Sequence, residues 1–235
     1  MGPDVVYIVR YGERNDELRY SLRSLANLPH GRVWVAGYAP TWTADTVGVI
    51  PVRRDWDKYR SARANLRAVC HEGGVSSPFV LMNDDFFVMR PIDAPPVLHH
   101  GRLDRHIVDR GAIAPSSHYT RGMVATREFL EGLGLPGPLR SYALHVPMLM
   151  RRPELLEVLD MRPARVNTYH VRTVYGNVHD VGGRFARDPK VHERTRGEAW
   201  RRWALLSTND ETFATHPAGA HIRRAFPSPS RYERA

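Results

Sequence analysis

Lysine is almost missing from this chain. Of its 34 lysine and arginine residues only two are lysines, Lys58 and Lys190, although the 235 residues carry a formal charge of +9. Cysteine is as scarce. Cys70 stands alone, which excludes an internal disulfide and any cysteine-based metal cluster. No apolar run approaches the roughly 20 residues needed to span a bilayer. The opening MGPDVVYIVRYGE has no basic segment ahead of a long apolar stretch and no cleavage site, so no signal peptide is read there. Position 6 is Val6, where N-myristoylation of Gly2 requires Ser or Thr. These absences lead to the expectation of a cytoplasmic protein. Several catalytic signatures are missing too. There is no P-loop and no His-Glu-x-x-His, and Ser116-Ser117 lack the nucleophile elbow. The Gly-x-Gly-x-x-Gly of GLGLPG (132–137) follows the helical pattern of TREFLEGLG and no strand, so it lacks the dinucleotide-binding context. ATP hydrolysis, dinucleotide binding and serine hydrolysis are therefore set aside.

What is present is arginine, and its excess has two readings. Arginine can replace lysine throughout a generally basic surface. It can also serve a polyanionic partner, nucleic acid or a phosphorylated donor, because its planar fork matches phosphate oxygens. The hydrophobic fraction of 42% suffices for an ordinary core.

Residues 4–9, DVVYIV, have the β-branched and aromatic run of a buried strand. A helix is predicted from Asp16 through ELRYSLRSLANL, with Leu18, Leu22 and Leu25 at helical spacing. RVWVAGY (32–38) and VGVIPV (47–52) read as two further strands. DWDKYRSARANLRAVCHEG (55–73) reads as a second helix, closed by Gly73-Gly74, and FVLM (79–82) as a fourth strand. Strands alternating with helices imply a parallel sheet covered by helices. The second half is less regular, with helices predicted only in TREFLEGLG (126–134) and PELLEVLD (153–160). One domain over 1–205 with a C-terminal extension over 206–235 is the expected organisation.

The fourth strand runs directly into Asn83-Asp84-Asp85. Two adjacent ionised carboxylates repel one another unless a cation lies between them. Magnesium and manganese are hard, prefer oxygen, and are typically held by one or two carboxylates plus substrate phosphates. A solvated turn or a helix cap would use the same residues. The apolar strand before the pair, and Phe86-Phe87 after it, favour a site. Ligands of parallel sheets bind at carboxyl ends of strands, where Arg10-Tyr11-Gly12-Glu13 also lie.

FVLMNDDFFVMRPI (79–92) resembles a conserved region of the Stealth family, sugar-phosphate transferases with a glycosyltransferase-like core. NDELRYSLRSL (15–25) resembles an earlier part of the same region, and DVVYIVR (4–10) is similar to the family's opening strand. HVPMLMRR (145–152) and RTVYGN (172–177) resemble its later His-Pro and arginine-containing region. In place of the family's Trp-Val-Asp-Gly loop this chain reads Arg10-Tyr11-Gly12-Glu13. Asn83-Asp84-Asp85 also resembles the metal motif of GT-A glycosyltransferases. The resemblance implies a GT-A-like (Rossmann-like) α/β fold with a mixed, mostly parallel sheet. It also implies sugar-1-phosphate transfer as one possible reaction.

The candidate site follows from both lines. Asp84 and Asp85 are the expected ligands of a divalent metal, Mn2+ or Mg2+, with Asp85 also catalytic. Arg10, Tyr11, Glu13, Asn15, Arg19, Lys58, Arg63, Asn65 and Asn83 are the expected contacts of a nucleotide-sugar, a UDP-sugar foremost. The loop after strand one has a second reading, as a helix start with Asn15 or Asp16 as N-cap. His145, His179 and Asp180 are the candidate bases. His145 lies in apolar YALHVPM, where a structural histidine is common, and His179 with Asp180 lies in glycine-containing YGNVHDVGG. Asn209-Asp210 is the alternative kind of feature, a helix cap. The expected activity is glycosyl transfer to a hydroxyl on DNA, protein or glycan, with hydroxymethylated DNA bases favoured by the charge. The rivals are Stealth-like sugar-1-phosphate transfer and a non-catalytic nucleic-acid-binding protein.

Overall fold

A computed structural model describes residues 2–52, 58–161 and 169–234. They group into two compact units, one made of Met1–Pro95, His145–Arg152 and Pro189–Ala235, the other of Pro96–Leu144 and Pro153–Asp188. In chain order the first unit runs β1 (Asp4–Val9), α1 (Asp16–Ser24), β2 (Val33–Gly37), β3 (Gly48–Pro51), α2 (Lys58–His71), β4 (Phe79–Asn83) and β5 (Phe86–Val88). The second unit begins with β6 (Leu98–His99), α3 (Leu103–Ile113) and α4 (His118–Gly132). β7 (Met148–Met150) belongs to the first unit; most of α5 (Arg152–Asp160), then α6 (Val171–Val178) and β8 (Arg184–Phe185), belong to the second. β9 (Leu205–Ser207), α7 (Asp210–Thr215) and α8 (Pro217–Ala225) complete the first.

The first unit is built on a five-stranded sheet in the order β3-β2-β1-β4-β7. The first four strands are parallel and β7 runs antiparallel to β4. This is a mixed α/β architecture, mostly parallel and flanked by helices, compatible with a Rossmann-like fold. The central strands are covered on both faces, so they read as unbroken apolar runs rather than alternating ones. Val5, Val6 and Tyr7 of β1 and Phe79, Val80 and Met82 of β4 are all fully buried. Edge strand β3 shows the alternative. Val49 is exposed and Ile50 buried, and Pro51 is tolerated because an edge has no further ladder to feed.

One acid sits at the start of β1. The Asp4 carboxylate accepts from Arg32 N at 2.8 Å, Trp34 Nε1 at 2.9 Å and Ser76 N at 3.1 Å. It thereby ties the amino ends of three neighbouring strands with no cation. At the opposite end Gly37, at φ 111°, packs so closely that a Cβ would stand 2.2 Å from the Val9 carbonyl oxygen. Any side chain there would push apart the carboxyl ends of β1 and β2.

Residues 206–235, read from the sequence as an extension, supply a strand, two helices and much of a core. β9 pairs antiparallel with β5, setting Phe87 against Leu206. Phe87, Val191, Trp200, Leu206, Phe213 and Ile222 form one buried cluster, with the Phe87 and Phe213 rings stacked at 5.8 Å. Beyond α8, Glu233 takes both prongs of the Arg23 guanidinium at 2.8 and 2.7 Å. Their side chains are 8% and 2% exposed.

In the second unit α4 packs on α3 and α6, and β6 pairs with β8 in parallel. The helix expected over 126–134 begins earlier, at His118, because Ser117 caps it by accepting from Thr120 N at 3.1 Å.

Candidate active site

β1 and β4 are neighbours in the sheet, with Ile8 opposite Asn83. Their carboxyl ends therefore release Arg10 and the Asp84-Asp85 turn side by side. The two segments meet through Asn15. Its Nδ2 donates to Asp84 Oδ2 at 2.8 Å across 69 positions of sequence. Its Oδ1 accepts from Leu18 N at 3.0 Å and caps α1. One side chain thus both caps α1 and ties it to Asp84. Burial, then the neighbouring Asp85 charge, raises the Asp84 carboxyl to about 6, against the pull of the Asn15 hydrogen bond and Arg10.

Asp85 has different partners. Its Oδ2 accepts from Lys190 Nζ at 2.8 Å and from Ser207 Oγ at 3.4 Å. Its Oδ1 is buried and, among the described residues, has no hydrogen-bond partner. Leaving a buried carboxylate oxygen unpaired is costly unless something else meets it. Glu17, on the first turn of α1, is buried and accepts from the Thr208 hydroxyl. Burial raises its carboxyl well above the ordinary range, and the charges of Asp85 and Asp84 and a contact with Asp210 add to this. Asp210 takes the Arg10 guanidinium in an exposed ion pair. Asn209 caps α7 by accepting from Thr212 N at 2.8 Å, as expected of that pair. The centre thus holds four carboxylates, Glu17, Asp84, Asp85 and Asp210, and two cations, Arg10 and Lys190.

Asp84 and Asp85 are the carboxylates that could anchor a divalent cation such as magnesium or manganese, with water and phosphate completing its shell. The observation that supports the fit is the orphaned Asp85 Oδ1. Among the described residues no three His, Cys, Asp or Glu side chains come together as a cage.

Beside this centre a cleft of about 1000 Å³ is lined by Arg10, Tyr11, Glu13, Asn15 and Arg19 of the expected donor residues. Arg14, Arg23 and Arg223 also line it. Glu13 accepts from Thr41 N at 2.9 Å and from the hydroxyls of Tyr38 and Thr41, so it joins the loops after β1 and β2. These bonds hold its carboxyl below the usual range. Tyr11 is exposed and its ring lies 4.4 Å from that of Tyr38. Arg19 stacks over Trp42 at 4.5 Å.

The remaining expected residues are placed otherwise. Asn65 is buried and donates to the Ala36 carbonyl at 3.0 Å, which makes it a brace for the end of β2. Arg63 lies on α2, and Asn83 is the last residue of β4. The Lys58 side chain lies outside the described residues. His145 belongs to the first unit and meets the Phe86 ring edge-on at 6.1 Å. His179 and Asp180 belong to the second unit. His179 caps the end of α6, its Nε2 3.1 Å from the Glu154 carbonyl oxygen. The backbone then turns into the left-handed region at Asp180 (φ 40°), and its exposed carboxylate faces Arg140 at 3.9 Å.

Sequence reasoning missed Glu17, Lys190, Ser207 and Thr208. Only Lys190 carried a signal, as one of two lysines in an arginine-rich chain. Asn15 offers a direct test of the centre. Asn15→Ala should cost about 1 kcal/mol for the cap and roughly another 1–3 kcal/mol for the unpaired buried carboxylate. Asn15→Asp keeps a good cap yet turns a second carboxylate on Asp84. It should be less stable than Asn15→Ala near neutral pH by urea denaturation, and the order should invert if only capping matters.

Among the described residues no helix is long and apolar enough to cross a membrane. No known family model matches the chain, and a search of curated proteins found no match.

Proposed function

We propose that this chain is a nucleotide-sugar-dependent glycosyltransferase of GT-A-like build, acting with a divalent metal. The observation that carries the reading is the Asp84-Asp85 turn, joined through Asn15 to the capped start of α1 and adjoining the arginine-lined cleft. An anionic donor suits that cleft on two grounds. Arg10 and Arg19 offer charge-assisted donors, and the amino terminus of α1 favours negative charge. Tyr11 offers an exposed ring on which a base can stack.

In this reading Asp84 and Asp85 would hold magnesium or manganese, which would supply charge neutralisation for a departing nucleoside diphosphate. Arg10 binds the diphosphate and keeps it aligned. The acceptor oxygen bonds to the anomeric carbon, the bond from that carbon to the diphosphate oxygen breaks, and the hydroxyl proton passes to a base. His145 is the candidate base within the first unit. The net charge of +9 favours duplex DNA with hydroxymethylated bases as acceptor.

The test is a transfer assay with UDP-sugars, manganese and hydroxymethylated duplex, with the nucleotide product identified. Release of a nucleoside diphosphate supports glycosyl transfer; a nucleoside monophosphate would establish sugar-1-phosphate transfer instead. Salt-sensitive DNA binding with no nucleotide affinity would replace both with a non-catalytic nucleic-acid-binding role. Calorimetry gives a narrower check. Arg10→Ala should weaken UDP-sugar binding by roughly 1.5–3 kcal/mol if it makes a charge-assisted hydrogen bond, and unchanged affinity would move the donor elsewhere.

A further inference from the structure

We infer that Lys190 is an internal cation that competes with the divalent metal for Asp85 and passes to the donor's phosphate when the metal binds. The inference rests on the reading of Asp84-Asp85 as the metal-diphosphate site and adds a regulatory element to it. Lys190 Nζ lies 2.8 Å from Asp85 Oδ2, and the two side chains are 14% and 15% exposed. The ammonium therefore occupies one of the two oxygens on which a metal would rely, and only Oδ1 lacks a partner. A divalent ion approaching Asp85 meets a like charge at close range in a half-buried place, where screening is weak.

The construction of the pair permits exchange. The Lys190 backbone is pinned, since Lys190 bridges Ser207 and the next residue, Val191, donates from its backbone N to Ser207 O at 2.8 Å with its side chain in the core. The ammonium, by contrast, ends a flexible four-carbon stem and is a compact point charge without fixed fork geometry. Ser207 Oγ, 3.4 Å from the same Asp85 oxygen, remains as a donor when the ammonium leaves. A released ammonium needs a new anion, and a diphosphate bridged by the metal brings one. Arginine is the usual cation of this chain, and a bidentate guanidinium would hold Asp85 more firmly.

Two consequences follow. Metal alone should bind weakly, and a nucleoside diphosphate should strengthen metal binding beyond what bridging by phosphate provides. Lys190→Gln keeps a hydrogen bond to Asp85 and removes the charge. By calorimetry without nucleotide, it should bind Mn2+ at least fivefold more tightly than the natural protein. The enhancement of Mn2+ affinity by UDP should fall by a similar factor, whereas Lys190→Arg should retain weak Mn2+ binding. Unchanged or weaker Mn2+ binding by Lys190→Gln overturns the inference while leaving the metal site standing. Absence of Mn2+ binding in every variant, with and without UDP, overturns the metal site as well.

A second measurement needs no variant. The chain has only two lysines, so reductive methylation at Lys190 is resolved from Lys58 by mass spectrometry and can be scaled to an added reference peptide. Mn2+ should raise the labelling rate of Lys190 relative to that peptide, and Mn2+ with UDP should lower it again. A Lys190 rate indifferent to Mn2+ at a concentration that saturates the protein overturns the inference.

Discussion

Asp84→Asn should slow transfer by about 10²–10³ and, in the absence of metal, make the protein more stable. The loss of activity follows from removing one of the two proposed anionic anchors for the metal-diphosphate, and Asp85→Asn should behave alike. Removing one such preorganised electrostatic element costs about 10²–10³ in rate. Normal turnover by both variants in the presence of a chelator would end the metal assignment. The gain in stability follows from the environment of Asp84. Burial and Asp85 raise its carboxyl from 3.8 to about 6 in the folded state. Folding then takes up a proton between these values, so the ionised group opposes folding above pH 6 and does not do so below about pH 4. In chelator, Asp84→Asn should gain up to about 3 kcal/mol at pH 7.5 and nothing at pH 4. Saturating Mn2+ should reverse the order at pH 7.5, because a ligand bound only to the folded state stabilises the natural protein alone. Urea denaturation at the two pH values, with and without Mn2+, checks each step. Equal stability at pH 7.5 in chelator would mean that Asp84 is solvated and unstrained.

A chain ending at Leu205 should fail to fold its first unit. Truncation there removes Leu206, Phe213 and Ile222 from the cluster around Phe87 and Trp200. Each such side chain contributes about 1.5–3 kcal/mol by burial. It also removes Glu233 and the Phe226 and Pro227 carbonyls, the groups that pair with and cover the Arg23 guanidinium. The lost burial reaches the 5–15 kcal/mol by which domains are usually stable. Ser207, Thr208 and Asp210 leave the site in the same cut. Near-UV circular dichroism of the 1–205 chain should lack native signal and urea should produce no cooperative transition. A cooperative transition at the midpoint of the full chain would make the last thirty residues an accessory.

The α/β organisation of residues 1–92 was legible in the sequence because its elements are long enough for their period to show. β1 and β4 are unbroken apolar runs bounded by polar turns, and α1 carries Leu18, Leu22 and Leu25 on one face. Its start was legible too, since an N-cap is a local bond between Asn15 and Leu18. Placing Arg10, Asn15 and Asp84 together needed only one rule, that parallel strands end on the same side. β5, β7 and β9 have three residues each, too few to show a period. Their places were decided by pairing with strands far away in sequence. The same holds for the chemistry of the centre. Lys190 meets Asp85 across 105 positions and Thr208 meets Glu17 across 191. Nothing local to DPKVHER or LLSTNDE encodes those partners, and a hydrogen bond or ion pair has no sequence period. Residue types and strand ends told where carboxylates would gather. Which cation holds Asp85, and that Glu17 is buried, depended on how the β5–β9 pair and its core close over the end of the sheet.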